Sequence, residues 1–242
     1  MRIDTYLADS GLLASRTEAK RYIEAGLVSV DGITVSKPSF DVDGKESAIT
    51  VSRPEQSFVG RGGVKLSAAI EAFGISVEGK RCLDVGASSG GFTDCLLQNG
   101  AEHVIAVDSG RDQLVEKLRH DPRVTSIEGY NARYMKPSDL RYSPELAVMD
   151  VSFISATYII PALSACLGAG ADFILLIKPQ FEVGRDGLGK GGIVKQEKAR
   201  LLAIDKVTSC AQGFGFKVLG VMESPIHGGD GNIEYLAHLM RL

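Results

Sequence analysis

Between Lys80 and Asp108 the chain runs apolar strand, glycine-rich turn, helix, apolar strand: RCLDVG, GASSGGF, TDCLLQNG closed by Gly100, then HVIAVDSG. Two strands bridged by a helix run parallel, and parallel strands are stable only inside a sheet covered on both faces. Apolar runs recur downstream, where ELAVMD ends at Asp150 and FILLIKPQFE carries Lys178 just past its apolar stretch. The fold class this sets is α/β, Rossmann-like, with its chemistry at the carboxyl ends of the strands. At the far end, FKVLGVMES, a turn through HGGDGN and IEYLAHLM read as an antiparallel hairpin.

The glycine turn is the first candidate site. Gly86, Gly90 and Gly91 let the backbone approach a ligand at a helix N-terminus, with Ala87, Ser88 and Phe92 in the same turn. Asp108 lies 22 residues beyond Gly86, near the spacing at which an acid accepts hydrogen bonds from a ribose. The string is G-A-S-S-G-G, not G-x-G-x-x-G, so alone it admits a nicotinamide nucleotide, S-adenosylmethionine or a tight structural turn. Two features favour S-adenosylmethionine. Asp84 precedes the turn, where a carboxylate reaches the methionine ammonium directly or through water, and no third glycine is spaced to admit a pyrophosphate.

Composition removes several classes. Hydrophobic residues make up 44% and charged residues 24% of 242, which excludes a disordered or fibrous chain and leaves room for a large domain and a small one. Lys and Arg number 27 against 30 Asp and Glu, so nucleic acid, if bound, is met by a local patch rather than bulk charge. Cys82, Cys95, Cys166 and Cys210 form no CxxC pair, which argues against a zinc ribbon or a disulfide framework and fits a cytoplasmic protein. Asp4 and Asp9 fall where a signal peptide needs its apolar core. The uncharged stretch 151–171 contains Pro161, Gly168, Gly170 and several hydroxyls, which suits a buried loop and helix better than a lipid span. Downstream, GRDGLGKG has the core of a phosphate-binding loop but lacks the hydroxyl residue after its lysine, and no strand leads into it. Its glycines instead indicate a loop that orders on substrate.

The first 50 or so residues form a separate unit. Ile3, Tyr6 and Leu7 have helical spacing up to Gly11, and Ser15 with Glu18 makes a capping box for a second helix that Gly26 ends. VSV, Asp31-Gly32 and ITV then read as a hairpin about a DG turn. The second helix carries Arg16, Lys20 and Arg21 on adjacent turns. This order, with Arg2, Leu7, Arg16, Ala19, Lys20, Gly26, Val28, Val30 and Gly32 at matching positions, resembles the small α+β RNA-binding domain named after ribosomal protein S-four. The resemblance implies RNA contacts from Arg2, Arg16, Lys20 and Arg21. Residues 1–55 nevertheless hold seven basic residues against nine acids, so the module is expected to orient RNA more than to supply the affinity. The expected boundaries are 1–53 for this domain, 54–60 for a polar, proline-marked linker and 61–242 for the second domain.

The methyl acceptor is set by later strand ends. Methylation at carbon 5 of cytosine needs a nucleophilic cysteine in a site loop, and the four cysteines fall in a strand and in helical stretches. Amino-group methylation of bases commonly uses an (N/D)-P-P-(Y/F) element, where this chain has MDVSFIS. Present instead are Lys65 in GRGGVKL, Asp150, Lys178 and Glu234 in GNIEYL. That order resembles the catalytic tetrad of the FtsJ-like ribose 2′-O-methyltransferases, in a class I S-adenosylmethionine-dependent methyltransferase domain. SFISA, LLIKPQFEVGR, GKGGIV, SPI and GGDGNIEYL further resemble the TlyA (hemolysin A) family of ribosomal RNA 2′-O-methyltransferases, over essentially the whole chain.

The resemblance implies S-adenosylmethionine-dependent methylation of a cytidine 2′-hydroxyl in rRNA. Arg61 and the loop residues Arg185, Lys190 and Lys195 are candidate phosphate contacts. The length of the chain matches the shorter type, expected to modify 23S rRNA alone. Two rival readings stand beside it: a membrane-lytic toxin, and an RNA-binding assembly factor without activity.

Overall fold

The computed structural model describes residues 1–13, 15–24, 26–42, 48–51, 58–184 and 187–242. It divides into two compact units, Met1–Ser57 and Phe58–Leu242.

In the first unit, α1 (Ile3–Asp9) and α2 (Arg16–Glu24) pack with a sheet of β1 (Val28–Val30), β2 (Ile33–Thr34) and β3 (Ile49–Val51) in the order β2-β1-β3. Ser15 Oγ accepts the Glu18 N–H at 3.2 Å, the N-cap bond the sequence indicates. Asp31 and Gly32 have φ of 49° and 81°, the left-handed pair that a two-residue hairpin matching strand twist requires. Ile3, Leu7, Ala19, Ile23 and Val28 form the core. The third strand, β3, pairs antiparallel with β1 and was not anticipated, because a three-residue strand is too short to show alternation.

In the second unit, α3 (Arg61–Phe73) precedes β4 (Arg81–Val85), α4 (Gly91–Gln98), β5 (His103–Val107), α5 (Glu116–Arg119) and β6 (Val124–Ile127). Then follow β7 (Leu146–Met149), α6 (Ile160–Cys166), β8 (Asp172–Ile177), α7 (Pro179–Glu182), α8 (Glu197–Gly213), β9 (Phe216–Glu223) and β10 (Tyr235–Arg241). The seven strands lie in the order β6-β5-β4-β7-β8-β10-β9. The first five are parallel, and β10 is antiparallel to both β8 and β9. Strand order reverses between β4 and β7, which opens a crevice at their carboxyl ends. Separate apolar cores cover the two faces of the sheet. The expected C-terminal hairpin forms, with β10 inserted between β8 and β9.

Of the expected linker, residues 54–57 lie outside the described residues. Phe58 is 8% exposed in the core of the larger unit, and the Val59 N–H donates to Asp94 Oδ2 at 2.9 Å. The larger unit therefore starts at Phe58 rather than at 61.

Candidate active site

The turn between β4 and α4 is shaped by close approach. Gly86 has φ +84°, and a Cβ there would fall 2.3 Å from the backbone oxygen of Asp150, so only glycine fits where the turn meets the end of β7. Ser88 adopts φ +48° and donates its N–H to Asp108 Oδ2 at 2.7 Å, while Asp108 Oδ1 accepts the Gly110 N–H at 2.7 Å. Asp108 thus braces two turns, and each of its oxygens keeps a lone pair for a ribose hydroxyl. Phe92 differs from expectation. At 3% exposure it lies in the core, its ring against Gly62 of α3, and supports the turn from behind instead of lining it.

Asp84 is fully buried. Its Oδ2 accepts the Thr93 hydroxyl at 2.7 Å, and its Oδ1 has no hydrogen-bond partner. Burial, the largest cause, pushes its carboxyl up to about 7. An orphaned acid oxygen beneath a glycine turn fits a ligand that brings a cation, as the methionine ammonium of S-adenosylmethionine does. The unfolded chain releases this proton near pH 4 and the folded chain only near 7, so rising pH across that window destabilises the ligand-free fold. A bound ammonium reverses the preference. Cofactor affinity is therefore expected to fall by up to about tenfold per pH unit below about 7, and Asp84→Asn to flatten the profile in calorimetric titrations.

The four residues proposed for catalysis form two ion pairs. Lys65 Nζ on α3 donates to Glu234 Oε2 at 2.5 Å, with side-chain exposures of 9% and 3%. Lys178 Nζ lies 2.5 Å from Asp150 Oδ1 and donates to Ser152 Oγ at 2.7 Å. The sheet accounts for the convergence. Tyr235 pairs with Ile177, so Glu234 and Lys178 are the next residues outward on neighbouring strands. The Asp150 N–H donates to Val85 at the end of β4. A Cβ on Gly62, one turn before Lys65 on the same helix face, would stand 3.9 Å from Asp150 Oδ2. Both pairs therefore sit beside the glycine turn at one sheet edge.

The cysteines are packed away. Cys82 and Cys95 are buried, and burial pushes both thiols up to about 12, which suits core residues and not nucleophiles.

The sequence suggests a buried loop after Asp150 and gives no sign of its exposed aromatic residue. Phe153 is 92% exposed at φ +64°, its ring centroid 5.4 Å from that of Phe181. Buried Glu182 accepts the Ser155 hydroxyl at 2.6 Å and the Ala156 N–H at 2.8 Å, and pairs with Lys206 at 3.1 Å. It fastens this loop to α7 and α8. The one available signal was an acid four residues beyond Lys178.

Of the expected phosphate contacts, Arg61 donates to the His227 carbonyl at 2.7 Å, Lys190 and Lys195 are exposed, and Arg185 lies outside the described residues. The glycine loop read as ordering on substrate is already fastened at its end. Asn232, 1% exposed, accepts the Val194 N–H at 2.9 Å and donates to the Gly192 carbonyl at 3.2 Å. In the first unit, Lys20 is exposed and Arg21 pairs with Glu18 at 3.8 Å. Among the described residues no helix is long and apolar enough to cross a membrane.

The strand order, the glycine turn and the acid on the next strand define a class I S-adenosylmethionine-dependent methyltransferase; solved methyltransferases of this kind at 14–15% identity share the fold, with TM-scores of 0.55–0.56. The FtsJ-like methyltransferase model matches residues 58–241 and the S4 domain model residues 1–47. The chain is 44% identical over 238 residues to the 16S/23S rRNA (cytidine-2′-O)-methyltransferase TlyA of Mycobacterium tuberculosis, covering 98% of this chain and 89% of that one. It is 33% identical over 260 residues to the 23S rRNA (cytidine-2′-O)-methyltransferase TlyA of Campylobacter jejuni, covering 100% of both. A solved structure from Streptococcus thermophilus, described as a hemolysin, is 45% identical with a TM-score of 0.78, covering 100% of this chain and 88% of that one. The chain belongs to the TlyA family of FtsJ-like methyltransferases.

Proposed function

We propose that this protein methylates the 2′-hydroxyl of a cytidine in 23S rRNA, with Lys65, Asp150, Lys178 and Glu234 as its catalytic group. The observation that carries the reading is the pairing of two lysines with two carboxylates at one strand edge beside the glycine turn. Large-subunit rRNA is the substrate that the names of both TlyA relatives have in common.

S-adenosylmethionine supplies a methyl group already activated on a sulfonium. What remains for the chain is to hold the 2′-oxygen in line and to manage its proton. Lys178 is the group placed to meet that hydroxyl, as acceptor of its proton or as a donor that turns the oxygen lone pair toward the methyl. Asp150 and Ser152 fix its Nζ. Lys65 and Glu234 close the other side of the site. Asp84, Ser88 and Asp108 hold the cofactor, while Lys190 and Lys195 meet phosphates.

Phe153 directly follows Ser152, the hydroxyl partner of Lys178, and presents an aromatic face open to an unstacked base. Phe153→Ala is expected to raise the KM for RNA by about tenfold, with kcat and cofactor binding little changed, in steady-state assays. The function itself is tested by methyl transfer from labelled cofactor to 30S and 50S subunits of an unmodified strain, followed by mapping of the product. Label on a 50S cytidine ribose, and none on 30S, is the expected result. Label on a base, or none on either subunit, would refute it.

A further inference from the structure

Counting charges, Asp4 is one of the nine acids that oppose RNA in the first module. Its surroundings reverse that reading. The side chain has no solvent exposure, and Arg2 grips it with two bonds, Nε to Oδ1 at 3.0 Å and a terminal nitrogen to Oδ2 at 3.1 Å. Arg16, the first residue of α2, donates to the same Oδ2 at 3.2 Å. Thr5 Oγ1 adds a bond to Oδ1 at 3.4 Å. Arg2 precedes α1 as its N-cap and Arg16 opens α2, and both side chains stay about half exposed, at 48% and 54%.

We propose that Asp4 is a positioning residue that joins Arg2 and Arg16 into one receptor for an RNA phosphate. Two guanidinium groups brought together without an acid between them would repel each other. A single carboxylate sealed beneath them removes that repulsion and leaves one net positive charge with two planar forks open to solvent. Guanidinium forks match phosphate oxygens in pairs, so fixing both in advance lowers the ordering cost of binding. The arginines in turn hold the carboxyl well down, to about 2, the Arg2 hydrogen bond being the largest cause, so the acid stays ionised at neutral pH. The inference rests on the RNA-binding part of the proposed function.

Bulk charge and prearrangement predict opposite signs. Asp4→Asn makes the module more positive, which by charge alone tightens RNA binding. Prearrangement predicts loss. The experiment measures the Kd of the full chain for unmodified 23S rRNA transcript across a KCl series, at a temperature where circular dichroism shows each variant folded. Asp4→Asn is expected to bind about tenfold more weakly with a salt slope shallower by about one. Asp9→Asn, which removes an exposed acid from the same module, is expected to bind as tightly as the parent or more so. The charge-preserving double change Arg2→Lys, Arg16→Lys is expected to weaken binding as Asp4→Asn does, with no further loss when the two are combined. Asp4→Asn binding as tightly as the parent would overturn the inference. Should Asp4→Asn fail to fold, unchanged affinity in the double lysine variant would overturn it equally. A parent chain that does not bind the transcript refutes the RNA reading itself, whereas a binding parent with an undiminished Asp4→Asn refutes only the role of Asp4.

Discussion

Replacing Lys178 by alanine is expected to lower methyl transfer by about 10²–10⁴-fold while leaving cofactor binding nearly intact. The reason is its place. Lys178 follows the last residue of β8, at the edge where β4, β7 and β10 also end or begin, and its Nζ is held by Asp150 and Ser152. Its loss removes the group proposed to meet the acceptor hydroxyl but no part of the glycine turn. Nor should the fold suffer greatly, because Asp150 retains 21% side-chain exposure and water can take over the lysine's bonds. Single-turnover transfer and calorimetric titration of S-adenosylmethionine separate the two effects. Lys178→Arg then distinguishes the roles of the amine. A guanidinium stays protonated and cannot accept a proton, so substantial remaining activity would mean that Lys178 orients the oxygen. Activity as low as in the alanine variant would mean that it takes the proton. Full activity in Lys178→Ala would remove the residue from the mechanism.

Much of the fold was legible because parallel strands buried on both faces are largely apolar along their length. RCLDV, HVIAV, LAVM and DFILLI all read that way and all form strands. Helix α3 was not legible. It begins Arg61-Gly62-Gly63, and two glycines in a first turn argue against a helix. A side chain at Gly63 would strike Phe58, 2.2 Å away, and one at Gly62 would press on Phe92 at 3.2 Å. Packing between elements, invisible along the chain, overrides local propensity. The same blindness hid Phe153, whose left-handed backbone has no signature in a non-glycine residue, and Asp4, which looks like any surface acid until the start of α2 brings Arg16 to it beside Arg2. The four proposed catalytic residues were named from a family resemblance. The sheet order explains how groups so far apart in sequence meet.

The Lys65–Glu234 pair yields the sharpest separation of stability from catalysis. Glu234→Ala is expected to cost about 3–5 kcal/mol of unfolding free energy, because it strands an ammonium that is 9% exposed with no countercharge at its Nζ. Lys65→Ala should cost a similar amount by stranding the carboxylate. Changing both, to Lys65→Met with Glu234→Leu, removes two desolvated charges and fills their volume with apolar atoms, so stability should return most of the way to the parent value in urea unfolding. Methyl transfer should not return. A pair kept only to hold α3 against β10 would be replaceable by methionine and leucine without loss of turnover. A pair that sets the electrostatics of the acceptor site would not be, since apolar side chains reproduce the packing and none of the field. Full activity in the stable double variant would therefore confine Lys65 and Glu234 to a structural role and leave the chemistry to Lys178 and Asp150.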